Sequence, residues 1–376
     1  MNSIRLLRNG RLAFEAILDD IARARRSVTV HMFIWRDDDI GCRLARALLD
    51  AADRGVRIDI TVDRVGAVLE YSEESGRSMF HLTPDPGERF TAAALSLLYP
   101  GRKKKKAAPS GLGEALRRHP RVTVHAEEKR ADHSKFHIID ETVLYLGGVN
   151  IEDKENGMDA RGITYQDYMM RLSGADAVQA FLTKRNERRD VCLVRDFAED
   201  AASVCFPMNR KEPVRFFEME SHYLALIGAA QRELTIVMAY FAPVPAVMDA
   251  ILAASARGVR VRIMIAVSAN YQDDKNKRTV RSLMHRSGGR IEVFLSPMML
   301  HTKLILSDDT VSVGSCNITR KSLYELDEMN LSTADRAFVD EIRADVEANL
   351  AGAHRCASEA ELHYDALRAW MEDRLA

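Results

Sequence analysis

The chain is written twice. Residues 48–57 (LLDAADRGVR) match residues 251–260 (ILAASARGVR), and each stretch reads as the end of an amphipathic helix, a glycine stop and a strand start. Upstream, residues 27–30 and 233–237 are matching strand patterns, each preceded by a helix-period segment. Downstream, residues 133–140 and 301–308 share the spacing HxKxxxxD. Duplicated strand-helix-strand units predict a mixed α/β fold: two α-β-α sandwich lobes related by a pseudo-twofold axis and sharing one active site. The expected lobes are residues 1–200 and 201–376, the second ending in a helical segment with Leu362, Leu367, Trp370 and Leu375 as its candidate apolar positions.

The copies differ in length. Gly55 to His133 is 78 positions and Gly258 to His301 is 43, so the first half carries 78 − 43 = 35 extra residues, inside roughly 68–118. Residues 102–130 hold ten Lys/Arg against three Asp/Glu, in a chain whose net charge is −1. One reading is a surface excursion with solvated lysines. The other is a membrane-docking element, with Leu95, Leu97, Leu98 and Tyr99 entering headgroups while Lys103, Lys104, Lys105 and Lys106 attract anionic lipid.

Composition sets the remaining bounds. Hydrophobic residues make up 47%, enough for two buried cores. Near-zero net charge removes whole-molecule attraction to polyanions. The five cysteines are scattered with no CxxC pair, which suits reduced thiols in a cytosolic chain rather than a disulfide frame or zinc site. Residues 234–248 form the longest uncharged apolar stretch, 15 residues broken by Pro243 and Pro245. That is short of a membrane span, and the N-terminus has no signal-peptide pattern. The expectation is a soluble or peripheral protein.

Two residues apart on a strand means one face, so His133 pairs with Lys135 and His301 with Lys303. Asp140 and Asp308 fall on the opposite parity; they belong to the motifs but suit anchoring of strand ends better than proton transfer. Two His-Lys pairs around one phosphorus suit phosphodiester chemistry. One imidazole attacks while the other protonates the leaving alkoxide, and the lysines stabilise charge on nonbridging oxygens. No metal or other cofactor is required by that scheme. After each motif comes a small turn, residues 147–150 (GGVN) and 314–317 (GSCN), where Asn150, Asn317 and Ser315 can bind phosphate and glycine permits close backbone approach. Asp167 and Glu328, 34 and 27 residues after the respective histidines, are candidates to accept a histidine Nδ1–H. One motif alone would be weak, but two complete copies in matching places have no packing explanation, because repeated buried cations are costly. The other histidines (31, 81, 119, 125, 222, 285, 354 and 363) lack a repeated partner. His137 shares the face of Lys135, and Ile305 stands at its place in the second half, so it is a candidate only for shaping the pocket.

These residues resemble the phospholipase D superfamily, marked by paired HxKxxxxD motifs each followed by G-[GS]-x-N. The likeness runs from about residue 9 to 330 and is similar to the bacterial cardiolipin synthases. It includes residues 33–38 (FIWRDD), 63–66 (DRVG) and 240–243 (YFAP). The resemblance implies catalysis by His133, Lys135, Asp140, His301, Lys303 and Asp308 through a phosphohistidine, with His133 the nucleophile by the usual first-motif assignment. It implies phosphate binding by Asn150, Asn317 and Ser315, and histidine support by Asp167 and Glu328. The implied reaction is phosphatidyl transfer, foremost cardiolipin synthesis from phosphatidylglycerol, with no metal and no cofactor. Typical synthases begin with two membrane helices that this chain lacks, so it is similar to the shorter members. The expected partners are anionic phospholipid and the membrane surface, with no nucleic acid. The expected place is the cytoplasm, peripherally on the inner face of the cell membrane. The alternatives are phospholipase D hydrolysis, a nucleic-acid phosphodiesterase of the same superfamily and a non-catalytic lipid-binding protein.

Overall fold

Period-2 apolar runs and 3.6-period helices alternate along both halves, and each half folds on its own sheet. The computed structural model describes residues 3–66, 78–80, 85–98, 110–157, 165–187, 193–197, 200–213 and 215–375. The chain divides into two compact units, Met1–Thr164 with Tyr168–Gln179, and Tyr165–Asp167 with Ala180–Ala376. The fold is mixed α/β, as the duplication predicts.

In the first unit the strands run in the order Ser3–Arg8, Tyr168–Ser173, Val143–Gly147, Phe136–Ile139, Ser27–Met32, Arg57–Val62, Val122–His125. The second unit repeats six of these places with Glu328–Thr333, Thr310–Gly314, Lys303–Ser307, Glu233–Met238, Arg260–Ala266 and Glu292–Ser296. Directions repeat too. Ser27–Met32 is parallel to Arg57–Val62 and antiparallel to Phe136–Ile139, just as Glu233–Met238 is parallel to Arg260–Ala266 and antiparallel to Lys303–Ser307. The parallel pairs are joined by the helices Asp39–Asp53 and Pro245–Ala256. Each of these helices ends before a left-handed glycine, Gly55 at φ 98° and Gly258 at φ 91°, a conformation that side chains with a Cβ resist. Each unit buries its own core. Phe14, Ile17, Leu44, Leu48, Ile58 and Ile60 belong to the first, and Ile227, Ile236, Ile251, Ile263, Val280 and Ile305 to the second.

The extra segment of the first half is partly core. Helix Gly111–Arg118 is capped by Ser110 and buries Leu116, and helix Pro86–Leu98 buries Ala92 and Leu95. Buried Leu95 is therefore not the lipid-facing residue expected of it, whereas Phe90 on the same helix is exposed. Lys103, Lys104, Lys105, Lys106 and Tyr99 lie outside the described residues, as do the side chains of Leu97 and Leu98. At the C-terminus Leu362 is buried as expected, but Leu367 and Trp370 are exposed. Helix Ala366–Leu375 instead buries Ala369 and Glu372, and the Glu372 carboxylate accepts from Lys275 N at 2.9 Å. Among the described residues no helix is long and apolar enough to cross a membrane.

Burial also sets the acid sensitivity. His137 is fully buried between Val30 and Tyr145 on the neighbouring strands, with neither ring nitrogen hydrogen-bonded, and burial drives its pKa down to about 3. His222 is held down to about 4, chiefly by burial and then by the charge of Lys184. The unfolded chain therefore binds protons below about pH 6.5 that the folded chain refuses. The contribution of these two histidines is full above that pH and is lost as pH drops toward 3, by up to about 1.4 kcal/mol per pH unit for His137 alone. His137→Ile copies Ile305, the buried residue of the matching place. It is expected to raise stability at pH 7 by about 1–3 kcal/mol by removing an unpaired buried polar group, and to flatten the acid limb. Urea titrations at pH 7 and pH 5 check both; equal pH dependence in the two proteins would refute the assignment to His137.

Candidate active site

Both HxK motifs lie at the entrance to a central strand. The regular strands begin at Phe136 and Lys303, so the histidines sit just ahead of them rather than within them. Burial is nearly complete: His133 is 9% exposed, His301 6%, and both lysines 0%. Lys135 Nζ donates to His133 O at 2.6 Å, and Lys303 Nζ donates to His301 O. Each lysine thus folds back on its own motif. Two fully buried lysines beside buried histidines are costly in an ordinary core and suit a site that takes an anion.

The second unit supplies a support for its histidine. Asp167 Oδ2 stands 2.8 Å from His301 Nδ1 and 3.7 Å from Lys303 Nζ, and Asp167 is 1% exposed. Sequence distance had set Asp167 after His133; its partner is the histidine of the other motif. The short strand Tyr165–Gln166 causes this, because it pairs in parallel with Met299–Leu300 immediately before His301. Gln166 O accepts from His301 N at 2.8 Å and from Thr302 Oγ1 at 3.0 Å. Met299 and Leu300 are buried in this pairing. Glu328, which opens the strand equivalent to the one after Asp167, accepts from Ser315 Oγ at 2.5 Å. Ser315 Oγ also accepts from Met329 N at 3.0 Å, so this fully buried hydroxyl is occupied in orienting Glu328.

Asn150 and Asn317 are placed by one device used twice. Ile151 bridges in parallel to Trp35, and Ile318 pairs in parallel with Phe241. Asn317 Oδ1 accepts from Tyr240 N at 3.2 Å, which aims the NH₂ group away from the backbone. Asn150 is 3% exposed and its Oδ1 has no hydrogen-bond partner among the described residues. The glycines admit the neighbouring strand: a Cβ on Gly147 would lie 2.3 Å from Tyr168 O, and one on Gly314 2.4 Å from Met329 O.

Asp140 and Asp308 do not face this chemistry. Asp140 Oδ1 accepts from Arg26 N at 2.7 Å and Ser27 N at 3.0 Å. Asp308 accepts from Gln231 N, Arg232 N and Glu233 N at 2.8–2.9 Å. Burial works to raise both carboxyls, and these backbone amides outweigh it, holding them below the ordinary range. They fasten the start of the adjacent strand, the anchoring role expected of them, from the turn that follows their own strand. Both take positive φ, 52° and 47°, which Asp tolerates better than most residues.

Some neighbours had no role assigned from the sequence, although Phe33 and Tyr240 lie in the runs 33–38 and 240–243 that carry the family likeness. Phe33 packs edge-on against His133 at 4.8 Å and lies 5.3 Å beneath Lys135 Nζ. Tyr240 sits edge-on to His301 at 6.5 Å, its hydroxyl donating to Asn270 at 2.9 Å. His31, expected to have no specific role, reaches Asp132 at 3.0 Å, beside His133. These are aromatic or polar residues without a repeated partner, so duplication gave no signal for them.

A family model described as "Cardiolipin synthase, PLD-like domain" matches residues 17–162 and 223–350, which include both HxK motifs. The chain belongs to this phospholipase D-like family. It is 28% identical over 379 residues to cardiolipin synthase A of Pseudomonas fluorescens, covering 95% of this chain and 70% of that one. It is 28% identical over 363 residues to cardiolipin synthase B of Escherichia coli, covering 91% and 79%. The crystal structure of phosphatidylserine synthase from Haemophilus influenzae superposes with a TM-score of 0.67 at 12% identity, covering 98% of this chain and 92% of that chain. The phospholipase D-like fold and a phosphotransferase activity of that type follow from the family. Asp167 falls outside the matched residues, and its place beside His301 is known from the geometry alone.

Proposed function

We propose that this phospholipase D-type enzyme moves a phosphatidyl group between phospholipids, and that its reaction is cardiolipin synthesis from phosphatidylglycerol. The observation that carries the reading is His301, buried beside Lys303 with its Nδ1 held by Asp167, in a chain whose relatives named cardiolipin synthase align over nearly its full length. A carboxylate on Nδ1 leaves Nε2 to take or give a proton, or to offer its lone pair to a reacting group.

In the proposed route His133 attacks phosphorus and His301 protonates the departing glycerol; the acceptor hydroxyl then displaces the phosphohistidine as His301 takes its proton. Lys135, Lys303, Asn150 and Asn317 hold the nonbridging oxygens, and Asp167 and Glu328 are the histidine-supporting carboxylates. The substrate places the enzyme at a membrane surface, the inner face of the cell membrane in this proposal, with Lys103, Lys104, Lys105 and Lys106 as its anionic-lipid contact.

The test is a product assay in chelator, with phosphatidylglycerol vesicles in one arm and single-stranded DNA in the other. Cardiolipin and free glycerol are expected from vesicles, with a His133→Ala/His301→Ala variant as the blank. Phosphatidic acid as the sole product would make the enzyme a hydrolase. DNA cleavage without lipid turnover would reject the lipid reading, and no turnover in either arm would leave a binding protein. Replacing Lys103–Lys106 by glutamine is expected to cut vesicle pelleting several-fold at low salt, with the difference shrinking as salt rises; unchanged pelleting would remove this contact.

A further inference from the structure

Beyond helix Arg336–Ala351 the chain runs along the outer edge of the second sheet. His354 and Arg355 pair antiparallel with Leu295 and Phe294, and Cys356 N donates to Val293 O at 2.9 Å. Residues two apart on an extended chain share a face, so His354 and Cys356 project together. The 3₁₀ turn Glu359–Glu361 then doubles back, and its capping box with Ser358 returns Glu361 toward them. Glu361 Oε1 accepts from Ala357 N at 2.8 Å and Ser358 N at 3.2 Å, leaving Oε2 against His354 Nε2 at 2.6 Å. One ligand atom from each of His354, Cys356 and Glu361 lies within 4.8 Å of the other two.

We propose that His354, Cys356 and Glu361 form a binding site for a divalent transition cation of the zinc class, separate from the phosphotransfer centre. An imidazole, a thiolate and a carboxylate are the ligand types such a cation takes, and tetrahedral bonds of ordinary length set ligand atoms about 3.4–3.6 Å apart. The approach needed is about 1 Å, and His354, the exposed member, is free to make it by side-chain rotation. On binding, the Cys356 thiol gives its proton to solvent as the sulfur–metal bond forms, and the ion replaces the direct His354–Glu361 contact. Burial, and then the charge of Glu361, holds that thiol up at about 11, so it stays protonated until a cation stabilises the thiolate. The fourth position is left to water or to a ligand in the adjoining cleft of about 610 Å³, which Cys356, Ser358, Glu359, His285 and Met284 line.

The site stands four strand spacings from Lys303–Ser307, about 19 Å, so it takes no part in the chemistry at His301. Its effect is to clamp the C-terminal segment on the sheet edge. The sequence hid it because H-x-C-x₄-E is no recognised zinc spacing; a strand followed by a tight turn assembles it.

The full-length protein, stripped with chelator and dialysed, is titrated with Co²⁺ and followed by absorbance. One equivalent is expected to produce a near-ultraviolet thiolate-to-cobalt band. Cys356→Ser is expected to abolish the band, and His354→Ala, at an exposed position, to weaken binding at least tenfold with unchanged circular dichroism. Zn²⁺ is expected to raise the Tm of the wild type, to raise that of His354→Ala less at the same zinc concentration, and to leave that of Cys356→Ser unchanged. No band at saturating Co²⁺, a band kept in Cys356→Ser, or unchanged affinity in His354→Ala would each overturn the site.

Discussion

Asp167→Asn is expected to lower kcat by about 10³–10⁴ with little change in KM, while the protein folds normally. The carboxylate lies 2.8 Å from His301 Nδ1, so it selects the tautomer with the proton on Nδ1 and stabilises the imidazolium when Nε2 takes a second proton. Asparagine is nearly isosteric but offers either an NH₂, which forces the proton to Nε2, or a neutral oxygen, which gives the cation little support. An orienting carboxylate lost in this way typically removes four orders of magnitude, about 5 kcal/mol of barrier. The pH profile separates this role from packing. Without the anion the His301 imidazolium is less favoured, so its limb of the profile moves to lower pH. Asp167→Glu, which keeps the charge, is expected to recover much of the rate and the original limb. A loss below fivefold with an unmoved profile would mean that Asp167 is structural. The readout is steady-state cardiolipin formation across pH 5–9.

The duplicated half was legible because its signals are local and repeated. Glycines at 55 and 258 stop helices, apolar alternation marks the strands, and HxKxxxxD recurs at equivalent places; the two sheets repeat that order. Asp140 and Asp308 are kept from their histidines by place rather than by strand parity: each histidine lies ahead of its strand, and each aspartate lies in the left-handed turn that follows it. What stayed hidden depends on contacts far apart in sequence. Nothing local tells which histidine Asp167 meets, since the strand Tyr165–Gln166 must first pair with Met299–Leu300. Ser315 looked like a phosphate ligand from its place beside Asn317, but tertiary packing gave its hydroxyl to Glu328. Leu367 and Trp370 looked apolar enough to be buried, and the helix rolled to put Ala369 and Glu372 inside instead. Composition cannot decide such a rotation in a ten-residue helix whose apolar positions do not form one stripe.

Arg36→Met is expected to destabilise the first unit by about 3 kcal/mol, the lower end of what breaking a buried ion pair typically causes. Arg36 Nε lies 3.2 Å from Glu152 Oε2, with the side chains 0% and 2% exposed, so methionine would leave a carboxylate buried without its guanidinium. Lys154, also 3.2 Å from Glu152, holds the loss toward that lower end. For a unit of this size 3 kcal/mol corresponds to roughly 6–12 °C in Tm. The pair also bears on the site. Arg36 N donates to Ile151 O at 2.9 Å, and Ile151 stands between Asn150 and Glu152, so the ion pair fixes both sides of the turn that presents Asn150. The double variant Arg36→Met/Glu152→Leu removes both charges and is expected to regain part of the lost stability, because much of the cost lies in the unbalanced buried carboxylate, while Lys154 loses its carboxylate in turn. If the double variant were as unstable as the sum of the two single ones, the pair would contribute through packing alone. Thermal and urea unfolding of the four proteins, followed by circular dichroism, closes the cycle. The single variant is further expected to lose phosphotransfer more steeply on warming than the wild type, since Asn150 loosens before the unit unfolds.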